Sequence, residues 1–163
     1  MVECICASYA KEYHVPVKIA RLSQTFGPGV DYNDGRVFAE FARCALEKRD
    51  IVLHTEGRTV RTYCYVKDAI HALLYILVKG NTGEAYNVTN PDTAVSIREM
   101  AELVSRTIGN DRIKTVVEIP EDVSSFGYNP EMVIRLDSSK LERLGWKATV
   151  GLEEMYQRMC KGF

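Results

Sequence analysis

"RLSQTFGPGVDYNDGRVF", residues 21–38, decides how the chain is read. It starts as the end of an apolar strand pattern, breaks into a Gly/Pro-rich loop, and restarts at Val37 with helical spacing. Upstream, "PVKIARL" (16–22) carries Val17, Ile19 and Leu22 in a short run that suits a parallel strand covered on both faces. Downstream, Val37, Phe38, Phe41, Ala45 and Leu46 form one stripe and predict an amphipathic helix over 35–48. The intervening "FGPG" lacks the Lys and Ser/Thr of a triphosphate-binding loop and the spacing of a dinucleotide fingerprint. On its own it reads as a rigid strand-to-helix crossover.

The remaining segments alternate in the same way. A helix is expected over 2–12, with Val2, Ile5, Cys6 and Tyr9 on one stripe; strands at 51–55 and 61–66 flank the turn at Gly57. The most apolar helix is expected over 66–78, stopped at Lys79-Gly80. "EAYNVTN" reads as a strand, and Ser96 and Glu99 have capping-box spacing before a helix closed by Gly109, with Val95 and Met100 as its hydrophobic staple. "IKTVVEI" reads as a strand, "PEDVSSFGYNPE" (120–131) as a polar loop of the kind that lies over ligands, and helices are expected near 138–144 and 151–160, the second capped by Thr149. The order gives an α/β fold. Only the 17–22 segment looks like an interior parallel strand, and one strand cannot make a doubly wound sheet.

Composition narrows the function. With 163 residues, 46% hydrophobic, the chain can bury a real core. Lys plus Arg total 21 against 22 Asp plus Glu, a formal charge of -1, so nothing favours nucleic acid or an anionic membrane. Phosphorylated small molecules need only a few placed cations and stay open. Five unpatterned cysteines, Cys4, Cys6, Cys44, Cys64 and Cys160, suggest a reducing, cytoplasmic compartment. His14, His54 and His71 show no metal spacing, no Gly-x-Ser-x-Gly elbow is present, and Cys64 sits between tyrosines without an identified base. Metal and catalytic sites are therefore expected to be absent. Arg36 starts a helix, Arg58 and Arg61 flank a turn, and Arg135 lies on an extended stretch. Arg61 and Arg135 either clamp a diphosphate or form separate surface ion pairs. Tyr63 and Tyr65 face one way and read equally well as core.

Five segments in order carry a resemblance that spans the chain: "RLSQTFGPG", "NDGRVFAEF", "GRTVRTYCYVKD", "GEAYNVTN" and "RLDSSKLERLGWKATVGLEE". Together they resemble the carboxyl-terminal half of extended short-chain dehydrogenases/reductases that act on nucleotide sugars: NAD-dependent epimerases, 4,6-dehydratases and UDP-glucuronate decarboxylases. The resemblance implies that Arg61 and Arg135 contact the nucleotide diphosphate, that Gln24 stands where the family has an asparagine touching the substrate, and that Arg36 and Val37 border the nucleotide. It places Thr25, Phe26 and Gly27 near the cofactor. Arg58 has no comparable role.

In the family a glycine-rich fingerprint and a Tyr-x-x-x-Lys pair precede the region resembled here, and neither is found ahead of the first helix. The resemblance therefore implies a truncated family member: a partial Rossmann remnant of one helix and one strand within 1–30, attached to the small substrate-binding α/β domain within 31–163. Such a fragment is expected to be inactive alone and to bind no NAD, although the full-length family enzyme needs it. A non-catalytic nucleotide-sugar or protein binding module, or a structural remnant, is the alternative. Expected partners are a weakly held nucleotide diphosphate sugar and further copies of the chain, most simply one in a dimer.

Overall fold

The computed structural model describes residues 1–120 and 130–163, so most of the predicted polar loop, 121–129, lies outside the described residues. The elements run α1 (Val2–Glu12), β1 (Ile19–Leu22), β2 (Gln24–Phe26), α2 (Val37–Glu47), β3 (Ile51–Leu53), β4 (Val60–Tyr65) and α3 (Val66–Lys79). They continue with β5 (Ala85–Val88), β6 (Asn90–Ser96), α4 (Ile97–Thr107), β7 (Thr115–Val117), α5 (Ser139–Glu142) and α6 (Leu152–Cys160). The Ser96 capping box is formed: Ser96 Oγ accepts from the Glu99 N–H at 3.1 Å and Glu99 Oε2 from the Ser96 N–H at 2.8 Å.

Three small sheets organise the chain. β1 pairs with β5 and β3 with β7, both parallel, while β4 lies between parallel β2 and antiparallel β6. This corrects the expected fold class. The first helix and strand are not a remnant beside an intact domain: β1 draws its ladder from residues 85–88, and β2, which reads as loop, takes its ladder from β4. Strands of three or four residues are too short for apolar periodicity to reveal, so only one reads as parallel where three pairings are. β6 is hidden for another reason. Its Asn90-Pro91-Asp92 start is turn-like in composition, yet among the described residues the strand pairs with β4 alone, and at such an edge an exposed proline costs no ladder bond.

Two clusters hold these sheets. In the larger, Phe26 at the end of β2 stacks on Phe38 of α2 with ring centroids 4.5 Å apart, and meets Tyr156 of α6 at 5.1 Å and Tyr63 of β4 at 5.9 Å. One aromatic thus ties the loop's start to the helix at its end. The loop itself is closed onto α3 at Gly27, where an added Cβ would meet Val66 Cγ1 at 2.7 Å. In the smaller cluster, Ala69, Ala72 and Ile76 of α3 pack with Tyr86 and Val88 of β5, Leu141 and Trp146.

Buried Asp68, in the first turn of α3, joins the carboxyl-terminal segment to this unit. It accepts from the Thr149 N–H and Oγ1 at 2.8 Å each and from the Val150 N–H at 3.1 Å. Thr149 therefore does not cap α6, whose N-cap is Gly151. By contrast, α1 buries no residue; Arg21 of β1 holds it through a forked ion pair to Glu3.

Candidate functional site

The site grows from β4. Its register against β6 slips between Arg61 and Tyr63, and a β-bulge of this kind re-aims the side chains beside it. Thr93 Oγ1 fills the gap, accepting from the Tyr63 N–H at 2.8 Å. Before β4, Gly57 turns at φ 67° so close to α4 that an added Cβ would lie 2.9 Å from the Arg98 nitrogen. Its N–H donates to Thr55 Oγ1 at 3.2 Å and its carbonyl accepts from the Arg98 N–H at 3.1 Å. Glycine is required there, and the turn it makes fixes the backbone leading to Arg61.

Three clefts adjoin one another along this region. An outer cleft of about 470 Å³ is lined by residues including Val37, Glu40, Arg49, Asp50, His54, Thr55 and Ile97. A middle cleft of about 300 Å³ shares Val37, Thr55 and Ile97 with it and adds Gly57, Arg58, Thr59, Arg61 and Glu131. An inner cleft of about 190 Å³ shares Arg61 and is completed by Leu22, Ser23, Gln24, Thr62, Ile134 and Leu136. In the inner cleft Ser23 Oγ, Gln24 Oε1 and Thr62 Oγ1 are buried and have no hydrogen-bond partner among the described residues. Buried oxygens left in that state favour a hydroxyl-bearing guest.

The predicted residues separate accordingly. Gln24, Val37 and Arg61 line the run of clefts, and the Arg61 guanidinium meets Met132 Sδ at 3.4 Å. Arg135 is exposed beside the inner cleft's Ile134 and Leu136, and its charge acts on Glu99. Arg36, the N-cap of α2, lies with Thr25, Phe26 and Gly27 on a separate cleft of about 210 Å³ that also includes Val66. There Arg36 is forked onto Asp34, which also accepts the Arg36 N–H at 2.9 Å. The guanidinium's hydrogen bonds, then the backbone one, hold the Asp34 carboxyl at about 2. A lowered carboxylate stabilises the fold above its ordinary value of 3.8, and that contribution fades as pH falls toward 2. Ser23, Thr62, Thr55 and Thr59 escape sequence reasoning, since small hydroxyls carry no signal until neighbours bury them.

Burial, then the charge of Asp68, pushes the Cys64 thiol up to about 12, which disfavours its thiolate. Burial also takes Tyr63 up to about 12. No group of three or more His, Cys, Asp or Glu among the described residues could hold a metal ion. Thr25, Phe26 and Gly27 line that separate cleft with Val30 and Val66, and among the described residues no tight glycine turn joins a strand to a helix beside them.

Fold and site together define an α/β protein with a guanidinium at the junction of linked clefts. A model of the NAD dependent epimerase/dehydratase family matches residues 1–89, and the chain belongs to that family. It is 30% identical to UDP-glucuronic acid decarboxylase 6 of Arabidopsis thaliana over 164 residues, covering 100% of this chain and 45% of the relative. The structure of UDP-glucose 4-epimerase from Thermotoga maritima with UDP-glucose superposes with a TM-score of 0.82 at 26% identity, over 99% of this chain and 50% of that one. UDP-glucuronic acid 4-epimerase from Bacillus cereus, in complex with UDP-glucuronic acid and NAD, shares the fold at 22% identity, with a TM-score of 0.76 over 98% of this chain and 49% of that one. The chain thus spans about half the length of the proteins it matches.

These matches overturn three expectations. The likeness runs through 98–100% of this chain, and the family model takes in α1 and β1 in one run with the elements through β5, so the reading as a truncated carboxyl-terminal half, with a remnant at 1–30 set beside a separate domain, is corrected to a chain that matches the family along its whole length. An inactive remnant is likewise not sustained, because the same end-to-end likeness is to enzymes. The expectation that the chain binds no NAD falls too: the family is NAD dependent and NAD occupies one structure of this fold, so the cofactor is not excluded.

Proposed function

We propose that this chain acts in the NAD-linked conversion of a nucleoside diphosphate-sugar, with the linked clefts as the sugar-nucleotide side of the site. The observation that carries the reading is Arg61, a guanidinium without a carboxylate partner among the described residues, standing between a wide outer pair of clefts and an inner cleft lined by unsatisfied oxygens. A diphosphate on Arg61 would send its nucleoside toward Val37, Thr55 and Ile97 and its sugar toward Gln24, Ser23 and Thr62. Arg135 would reach it only from the rim. When bound, NAD supplies a hydride acceptor for a sugar carbinol; Thr25, Phe26 and Gly27 would border it. The residues of this chain bind and orient the sugar, and the orphaned oxygens reward a particular pattern of its hydroxyls. A chemical-shift titration with UDP-glucose should perturb residues 22–24, 37, 55–62 and 97. Shifts confined to other residues, or none, would overturn the reading.

Self-association is a second part of the proposal. α1 presents Val2, Ile5 and Tyr9 to solvent and buries nothing, its C-cap Tyr13 is exposed too, and β1 pairs on one side only among the described residues. A second copy laid on α1 and β1 would cover both. Light scattering at high micromolar concentration should give twice 18.4 kDa, and a clean 18.4 kDa species would refute it. No helix among the described residues is long and apolar enough to cross a membrane, and the five free thiols fit a reducing, cytoplasmic setting.

A further inference from the structure

We propose that Arg58 is the second cationic contact of the site, acting with Arg61 across the middle cleft on the two phosphates of a nucleoside diphosphate. This rests on the sugar-nucleotide reading above and adds a residue to it. The sequence points to Arg135 for that task and leaves Arg58 without one. Placement in the fold favours the reverse: Arg58 and Arg61 line one cleft with Thr55, Gly57 and Thr59, whereas Arg135 is not among its lining residues.

Availability separates them from most other arginines. Arg21, Arg36, Arg43, Arg49, Arg98 and Arg158 are each committed to a carboxylate. Arg58 and Arg61 have no ion pair among the described residues, and they share a cavity. Two guanidiniums that face one cleft and are not neutralised by carboxylates repel each other, and a multivalent anion relieves that repulsion while accepting forked hydrogen bonds from both. The Arg58 side chain is exposed, but its backbone is not loose: it follows Gly57, whose N–H and carbonyl are both engaged. Glu131 lines the same cleft and, among the described residues, pairs with neither arginine. Its carboxylate opposes an anion there, so removing that charge gives a second, opposite readout.

The test is calorimetric titration of the intact chain with UDP and with UMP, for wild type, Arg58→Ala, Arg61→Ala and Glu131→Gln, after circular dichroism has confirmed folding. A two-guanidinium site predicts that Arg58→Ala weakens UDP about tenfold and UMP less than about twofold, collapsing the preference for the diphosphate. Glu131→Gln should tighten UDP about threefold. If Arg58→Ala lowers UDP and UMP equally, Arg58 supplies only a diffuse field and the inference fails. If Arg61→Ala loses UDP while Arg58→Ala and Glu131→Gln match wild type, the inference alone fails and the sugar-nucleotide reading stands. If wild type binds no UDP, both fall.

Discussion

Asp68→Ala should lower the free energy of unfolding by about 3 kcal/mol in urea denaturation, because a buried charged acceptor is removed from three donors at once. Two of the donors are backbone N–H groups, of Thr149 and Val150; Thr149 is exposed, whereas buried Val150 has no water to replace the carboxylate. The third is the Thr149 hydroxyl. Trp146 also donates to the Asp68 carbonyl at 3.0 Å, a bond the substitution keeps, so the segment should loosen from its carboxyl-terminal side. Asp68→Asn retains one acceptor oxygen but turns an amide toward N–H donors, and should cost about half as much. Thr149→Val removes one donor with its shape preserved and should cost about 1 kcal/mol. If the alanine variant cannot be purified folded, this graded series carries the test. Equal stability of all three variants and wild type would mean that the carboxylate does not tie α3 to the carboxyl-terminal segment.

Arg61→Ala should weaken UDP-glucose binding about 30-fold, or about 2 kcal/mol, the loss expected for a charge-assisted contact to phosphate. Arg61→Lys keeps the charge and loses the fork, so it should fall between the two. The gap between wild type and Arg61→Ala should narrow as ionic strength rises, since salt screens the part of the interaction that acts at distance. Arg158→Ala is a suitable control. That residue is occupied with Glu154 and lies over the Tyr65 ring, away from the clefts. Indistinguishable affinities for wild type and Arg61→Ala, measured by titration calorimetry at low salt, would remove Arg61 from the site.

Both variants act at positions whose roles differ in how far they can be read from sequence. Arg61 is legible through the "GRTVRTYCYV" resemblance, and the structure places it where two clefts join. Asp68 gives no signal. An acidic residue in the first turn of a helix reads as a favourable charge at a helix N-terminus, and its partners lie about 80 residues away in sequence. Arg58 shows the opposite case: it is visible as a basic residue at a turn, and only the shared cleft gives it a task. Gln24 lies between. Its identity is legible as an amide in a family position, but the condition that matters, a buried oxygen with no partner among the described residues, exists only once β2 is paired and 134–136 closes over it.

Local signals in this chain set what depends on near neighbours. The capping box at Ser96 and Glu99, the stripe of Phe38, Phe41 and Ala45, and the stop at Lys79-Gly80 arise from residues within two helical turns, and each is found where the sequence put it. Family membership is legible as well, because it rests on the order of short motifs. Tertiary structure decided the rest. β2 and β6 are strands because β4 offers them ladders, against a turn-like composition; β1 belongs to a sheet because 85–88 returns beside it. The bulge at Arg61–Tyr63 and the Gly57 turn are relations between strands and helices far apart in sequence, and those relations aim the arginines. Short strands carry too few residues for their own pattern to outweigh local turn propensity, so their state is set by partners that only the folded chain supplies.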